Sequence, residues 1–256
     1  MTNLIRAEMY KLQRNKTFWV LIGTITGLST LLHFLIITDW WMMDGTPFDT
    51  IGLSELNALA TFTVPLFFNL IVCTLAGFYI STEFSQSGVI KNQLISGNKR
   101  TRIFIAKFLV FSFGSILVTI VIPLLTAIIS VILLGQGEIF NLSNLIYLGR
   151  GFSLFTLQFL GYTAIIMLIA IVTEDSGKTI IFSIIFSLIM DLVRIFSSSS
   201  SFIATIYENT ITSQFSEVFK YTLTNGEILK SLLIGGVTIV FFPLCGVFIF
   251  NRKEIK

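Results

Sequence analysis

The feature that most constrains this chain is a succession of apolar runs, each long enough to cross a lipid bilayer. A helix rises 1.5 Å per residue, so about 20 apolar residues span roughly 30 Å of hydrocarbon. Hydrophobic residues make up 54% of the sequence and charged residues only 12%, whereas about a quarter of a soluble domain is charged. A transmembrane barrel would instead show short alternating strands. The pattern therefore predicts an all-α integral membrane protein.

We predict one transmembrane domain over residues 1–256, with six transmembrane helices and no separate soluble domain. The runs lie at 17–38, 58–80, 103–134, 149–172, 179–196 and 228–250. Pro65 lies inside the second run, and a bend is expected at Pro123 in the third. The segment 197–227 mixes apolar and charged residues, and we expect short interfacial helices there that help to cover one end of the protein.

The first 16 residues are mixed in character rather than apolar. Leu4, Ile5, Met9 and Leu12 fall roughly on one helical face, with basic residues around the other. This pattern predicts an amphipathic helix at the membrane interface. The alternative is a signal peptide, but the run 17–38 is longer than a signal-peptide core and no Ala-x-Ala site closes it.

The segment 81–107 is the one long polar interruption between two apolar runs. It holds five basic residues against one acid, Glu83. Each ion at the bilayer centre costs roughly 2.5–3.5 kcal/mol, so this segment is expected in water. Within residues 88–94, Val89, Ile90 and Leu94 have near-helical spacing, which predicts a short amphipathic helix at the membrane surface. The alternative is a solvated basic turn that only fixes topology.

The distribution of basic residues predicts the orientation. With six spans both termini share a side, and only four of the 17 Lys and Arg residues would lie on the other side. Basic residues favour the cytoplasmic side, so we expect both termini in the cytoplasm. The four exceptions are Arg150, Arg194, Lys220 and Lys230.

The sequence lacks the motifs of common catalytic and metal sites. It has no G-x-x-x-x-G-K-[ST] phosphate loop, no G-x-S-x-G elbow and no H-E-x-x-H pair. One histidine, His33, and two separated cysteines, Cys73 and Cys245, do not make a usual metal-ligand set. We therefore predict a chain that is not an enzyme and carries no metal and no cofactor of its own.

Asp191 and Arg194 are an ionisable pair within the fifth run. Three residues apart, they share one helical face and can neutralise each other. They could line a substrate path or take part in proton coupling, or they could be a purely structural pair near the membrane interface.

Two stretches resemble the ABC-2 type permeases of ATP-binding-cassette (ABC) exporters, especially the small six-helix permeases of Gram-positive bacteria. The first is LIRAEMYKLQRNKTFWVLI, similar to that family's entry segment with its acid, its Lys-Leu pair and an aromatic residue at the start of the first span. The second is EFSQSGVIKNQLISGNKRTRIFIAK, similar to the family's cytoplasmic loop. It departs from the family pattern at Val89, where members often have Thr, and at residues 98–99.

The resemblance implies a type V exporter fold with a cytoplasmic coupling helix that binds a separate ABC ATPase subunit. Val89, Ile90 and Leu94 would fill an apolar pocket on the ATPase, and Glu83 would pair with one of its basic residues. The short turn 173–178 could share this contact. The implied ATPase-coupling residues are Glu83, Gly88, Val89, Ile90, Lys91, Asn92, Leu94, Lys99, Arg100, Glu174 and Asp175.

The resemblance also implies the partners and the location. ATP and Mg²⁺ would bind in the partner ATPase, and a second permease copy would complete a homodimer or heterodimer in the bacterial plasma membrane. The expected cargo is an amphipathic peptide, toxin or drug, and nucleic acid is not expected as a partner. The alternatives are an immunity or sensing protein that binds an antimicrobial peptide without transport, or a membrane-embedded enzyme.

Overall fold

The computed structural model describes residues 1–85, 87–135 and 141–253, and this part of the chain is helical with no strand. Six helical stretches within it are long and apolar enough to cross a membrane. This confirms the predicted all-α class with six membrane-spanning helices. The spans, numbered first to sixth, are Lys16–Ile37, Pro65–Ser85, Arg100–Leu134, Leu142–Thr173, Ser176–Ser197 and Asn225–Arg252.

Helix α1 (Thr2–Arg14) precedes the first span, α2 (Lys16–Ile37). Asn15 separates them, and its side chain accepts a hydrogen bond from the Phe18 N–H at 3.2 Å, which caps α2. The buried side of α1 is not purely apolar, because Glu8 is buried there together with Leu4 and Leu12. Helix α1 therefore packs a charged group against the protein.

The second span begins later than the sequence predicts. A separate helix, α3 (Asn57–Thr63), ends at Val64, whose backbone is extended, and Pro65 is the first residue of α4 (Pro65–Leu75). Proline disfavours the helical conformation in the residue before it and suits the first helical position. Pro65 therefore starts the span instead of lying inside it.

The second and third spans each contain a π-helical turn. In the second, the turn Ala76–Ser81 follows α4 and leads into α5 (Thr82–Ser85). In the third, the turn Leu117–Val121 separates α7 (Arg100–Ile116) from α8 (Ile122–Leu134), just before Pro123. Wider turns of this kind leave the regular ladder of backbone hydrogen bonds and often lie at functional sites. Helix α6 (Ser87–Ile95) lies between these two spans.

The fourth span, α9 (Leu142–Thr173), has the largest buried share of the six. It lies beside the third and sixth spans, and the sixth is α13 (Asn225–Arg252). The fifth span, α10 (Ser176–Ser197), buries only Thr179, Ser183 and Ser187. These residues recur every four positions and so line one face. Helix α10 therefore buries a row of hydroxyl groups, with Ile180 and Phe186 packed partly against the core, while most of its other apolar side chains are exposed.

The segment after the fifth span forms two short helices, α11 (Ser201–Glu208) and α12 (Ile211–Glu217). Helix α12 is buried rather than interfacial: the Phe215 ring lies 4.7 Å from that of Phe68 and 5.3 Å from that of Phe155. Tyr147 donates a hydrogen bond to the Phe219 carbonyl at 2.6 Å. We call the end of the bundle that holds α1 and residues 251–253 the terminal face. The other end, which holds α3, α11 and α12, is called the opposite face.

Candidate functional site

A group of four charged side chains, two buried and two partly buried, lies at the terminal face, and we call it the ion cluster. It consists of Glu8 and Lys11 from α1, Glu83 from the second span and Lys107 from the third span. The side chain of Lys107 is 0% exposed and that of Glu8 is 1% exposed. The four formal charges cancel, as burial of ions requires.

Every member of the ion cluster contacts both members of opposite sign. Lys107 Nζ lies 3.0 Å from Glu8 Oε2 and also contacts Glu83. Lys11 Nζ lies 2.9 Å from Glu8 Oε1 and 3.0 Å from Glu83 Oε1. The cluster therefore fastens α1 to two transmembrane helices that are adjacent in the chain.

Two neutral side chains complete the hydrogen bonds of Glu8. Tyr79 Oη shares its single hydroxyl proton between Glu8 Oε2 at 3.0 Å and the Glu8 backbone carbonyl at 3.1 Å. Gln93 Nε2, on α6, donates to Glu8 Oε1 at 2.8 Å. Through Gln93 the short helix α6 joins the same network, so Glu8 links α1, α6 and both spans.

The electrostatics of Glu8 match this geometry. Burial acts to raise its pKa, but the charges of Lys107 and Lys11, with hydrogen bonds from Lys11 and Gln93, outweigh burial and lower the pKa from 4.5 to about 2. For Lys11, burial acts to lower the pKa, and the two carboxylates reverse this and raise it. Both groups are therefore held in their charged forms at neutral pH.

The π turn Ala76–Ser81 connects the ion cluster to neighbouring elements. Besides Tyr79, it presents two backbone carbonyls to side chains outside the second span. Asn15 Nδ2 donates to the Phe78 carbonyl at 3.2 Å, and Ser176 Oγ donates to the Gly77 carbonyl at 2.9 Å. The turn thus contacts the α1–α2 junction on one side and the start of the fifth span on the other.

Helix α6 turns its apolar side toward its own bundle. Ile90 is 2% exposed and belongs to the hydrophobic core, and Leu94 packs against that core. Ile90 therefore has almost no exposed surface and Leu94 is only partly exposed, and the contact of both with an ATPase stays a prediction. Val89 is half-buried. Gly88 also belongs to α6, but its surroundings lie outside the part of the chain that the structure describes.

The outward side of α6 has a different composition from the predicted one. Lys91 and Asn92 are exposed, and Ile95, which the sequence pattern did not indicate, is 74% exposed. Positions 91, 92 and 95 share one helical face. An exposed isoleucine beside a lysine and an asparagine forms a small mixed surface at the terminal face, which we call the α6 surface. Lys99 is exposed beyond the end of α6.

The remaining predicted coupling residues have partners within the chain. Glu83 belongs to the ion cluster and is paired with Lys11 and Lys107 within the chain, and its predicted pair with a basic residue of the ATPase stays a prediction. Arg100 Nη1 donates to the carbonyls of Phe250 at 2.9 Å and Asn251 at 3.1 Å. A cation at a helix C-terminus is favourable, and Arg100 thereby fixes the end of the sixth span.

The turn between the fourth and fifth spans also binds the C-terminal segment. Lys253 Nζ lies 2.5 Å from Glu174 Oε1, and Glu174 ends the fourth span in a left-handed conformation, with φ of 52°. Asp175 caps the fifth span by accepting the Lys178 N–H at 2.8 Å. The turn therefore lies near the end of the sixth span.

Asp191 and Arg194 lie far from the ion cluster, on the part of the fifth span near the opposite face. Arg194 Nη2 is 3.4 Å from Asp191 Oδ1. The histidine of the first span has a packing role: His33 is 0% exposed, and its Nδ1 donates to the Ser29 carbonyl at 2.7 Å. Within the described ranges, no group of three or more His, Cys, Asp or Glu residues could hold a metal ion.

Comparison with known proteins agrees with this architecture. Residues 4–194 match the model of a family described as ABC-2 family transporter protein, and this range contains the ion cluster, α6, the first four spans and most of the fifth. Comparison with curated proteins finds no match. Because the family match covers well over half of the 256 residues, the chain belongs to the ABC-2 transporter family, as a membrane permease rather than a catalytic subunit.

Proposed function

We propose that this chain is the permease subunit of an ABC exporter and that its ATPase subunit docks on the α6 surface. The ATPase binds and hydrolyses ATP with Mg²⁺, and the permease supplies the path across the membrane. The family supports the general role of a transporter permease. The position of the docking surface is our inference from the exposed residues of α6.

The observation that carries this proposal is the two-sided construction of α6. Its inner side is attached to the ion cluster through Gln93 and to the core through Ile90, while its outer side leaves Lys91 and Ile95 exposed. Protein interfaces depend on a few apolar anchors surrounded by polar residues. Ile95 is suited to be the anchor, and Lys91, Asn92 and Lys99 to form the polar rim.

The same construction supports a route by which a movement of the ATPase reaches the spans. Helix α6 displaced by its partner would act on Glu8, and Glu8 is bonded to Lys107 of the third span and Tyr79 of the second. Packed polar networks with good geometry transmit displacement because their members do not deform independently. ATP binding would in this way reposition the second and third spans together.

The finer features of the transporter are part of the proposal. We infer that two copies form the membrane assembly, that both termini face the bacterial cytoplasm, and that the cargo is an amphipathic peptide, toxin or drug. The exposed apolar faces of the first, fifth and sixth spans supply surfaces for lipid and for the second copy. A large apolar area of this kind needs one of these two partners.

The test uses two matched substitutions. Ile95 and Leu142 are both 74% exposed, but Ile95 lies on α6 and Leu142 begins the fourth span at the opposite face. Ile95→Asp should reduce co-purification of the ABC ATPase in detergent at least about tenfold, as expected for loss of a central anchor. Leu142→Asp should leave co-purification unchanged. Equal recovery of the ATPase with both variants would contradict docking on α6. An immunity protein that works without transport would also give equal recovery with both variants.

A further inference from the structure

A cavity of about 350 Å³ lies at the opposite face, enclosed by the start of the second span, the fifth span and the hairpin of α11 and α12. Ligand sites in proteins have volumes of roughly 300–1,000 Å³ and combine apolar walls with a few polar groups. This cavity has that composition: Tyr207, Phe215 and Phe219 are among the residues of one wall, and Asp191 with Arg194 supplies charge on another.

The ion pair in this wall is open to exchange. Arg194 Nη2 and Asp191 Oδ1 are 3.4 Å apart, longer than the 2.7–2.9 Å that is usual for a charge-assisted hydrogen bond. The side chain of Arg194 is 62% exposed and that of Asp191 is 34% exposed. The carboxylate is thus the more enclosed partner, and the guanidinium can swing into water at little cost.

The fifth span provides a second, independent indication that polar groups line this side of the protein. Its buried residues Thr179, Ser183 and Ser187 lead along one face toward Asp191. Ser187 Oγ is bonded to Tyr162 Oη at 2.9 Å, and Ser187 also lines the cavity. Ser183 Oγ is buried without a hydrogen-bond partner among the described residues. A polar seam therefore leads from the cavity into the bundle.

We propose that this cavity binds the protonated amine of an amphipathic molecule, with Asp191 as the acceptor of the ammonium group. The ligand ammonium displaces Arg194 from the carboxylate, the aromatic wall contacts the ligand's apolar part, and a nearby ring face favours the cation. The cavity is then a binding site that selects cargo molecules carrying an amine. This inference rests on the proposed function only in taking the bound amine to be cargo for export. Binding of the amine itself is measured without an ATPase.

Binding of radiolabelled dodecylamine to the purified chain in maltoside micelles tests the site, with dodecanol as the neutral probe of equal chain length. The wild type should bind dodecylamine at least about tenfold more tightly than dodecanol, the effect of one hydrogen-bonded charge. Asp191→Asn should remove this preference, and Arg194→Gln should retain or strengthen it. No preference in the wild type, or an equal loss in both variants, would overturn the proposal.

A further variant covers the case in which Asp191→Asn does not fold. Ala60 also lines the cavity, and Ala60→Phe would fill the space without removing the ion pair. It should abolish binding of dodecylamine above the micelle background, and unchanged binding would refute the location. Adding phosphatidylethanolamine identifies the source of the amine: displacement assigns the site to a lipid headgroup, and no displacement assigns it to a soluble amphipath. ATPase co-purification, measured on the same variants, should be unaffected and reports separately on the proposed function.

Discussion

Replacing Lys107 by methionine should destabilise the protein more than any other single change in the ion cluster. Lys107 is 0% exposed and contacts Glu8 and Glu83. Lys107→Met keeps most of the side-chain volume but leaves two buried carboxylates with only Lys11, whose side chain is 29% exposed. The cluster then carries a net negative charge in a site from which water is largely excluded.

The size of the effect follows from the geometry. At an effective dielectric constant of 20, two unit charges about 4 Å apart interact with roughly 4 kcal/mol. Lys107 makes two such contacts, and part of their energy offsets the cost of burying its own charge. Removing one partner of a buried ion pair typically costs about 3–5 kcal/mol, and we expect Lys107→Met to lower the free energy of unfolding by this amount.

The assay can use the chain's own cysteine. Cys73 is buried and Cys245 only partly so, so in a Cys245→Ser background a thiol-reactive dye reports unfolding through Cys73. The double variant Glu8→Gln with Lys107→Met should lose less stability than the sum of the two single variants, since removing both charges leaves neither one unpaired. A loss under about 1 kcal/mol for Lys107→Met would refute the ion cluster as a structural centre.

Three further predictions concern acid, close packing and the sixth span. The pKa of Glu8 is about 2 in the folded chain against an ordinary 4.5. The stability that the Glu8 carboxylate gives to the fold is therefore complete above pH 4.5 and is lost as pH falls toward 2. The melting temperature should drop over this pH range, and the drop should be smaller for Glu8→Gln. Gly161→Ile should lower the free energy of unfolding by about 1–3 kcal/mol, because a Cβ at position 161 would lie 2.6 Å from Ile211 Cδ1. A Cβ at position 149 would have nothing within 4 Å, so Gly149→Ile should leave the free energy of unfolding unchanged in the same assay. Arg100→Gln should speed amide hydrogen exchange in the last turn of the sixth span and leave that of the first span unchanged, since it releases carbonyls in the sixth alone.

The fold class follows from the sequence because lipid leaves few choices. A chain with several apolar runs of hydrocarbon length must satisfy its backbone polar groups within each run, and helices do this. The position of the second span was predicted less well. Hydropathy does not distinguish residues 58–64 from the span that follows, since the break at Val64 depends on proline chemistry and on packing of α3 into the core.

The ion cluster was not predicted as a unit, although Glu8, Lys11, Glu83 and Lys107 all stand in the two stretches that resemble the family. Sequence spacing alone does not show that residues 99 positions apart, such as Glu8 and Lys107, meet in space. A usable signal was present: an acid at position 8 falls among Leu4, Ile5 and Leu12 on the apolar face of α1. An acid in such a place requires a buried cation.

The proposed docking surface uses the exposed Ile95, whereas Glu83 is paired within the chain. To pair with a partner, the Glu83 carboxylate would have to leave Lys107 each time the partner bound, and the buried lysine would be left with Glu8 as its one remaining carboxylate contact. A docking surface built on Ile95, as proposed, would leave Glu83 within the ion cluster and avoid this cost. In the proposed arrangement, the ATPase binds to and leaves the α6 surface while the ion cluster stays intact, so the cluster would move as one body with α1 and the two spans that it joins.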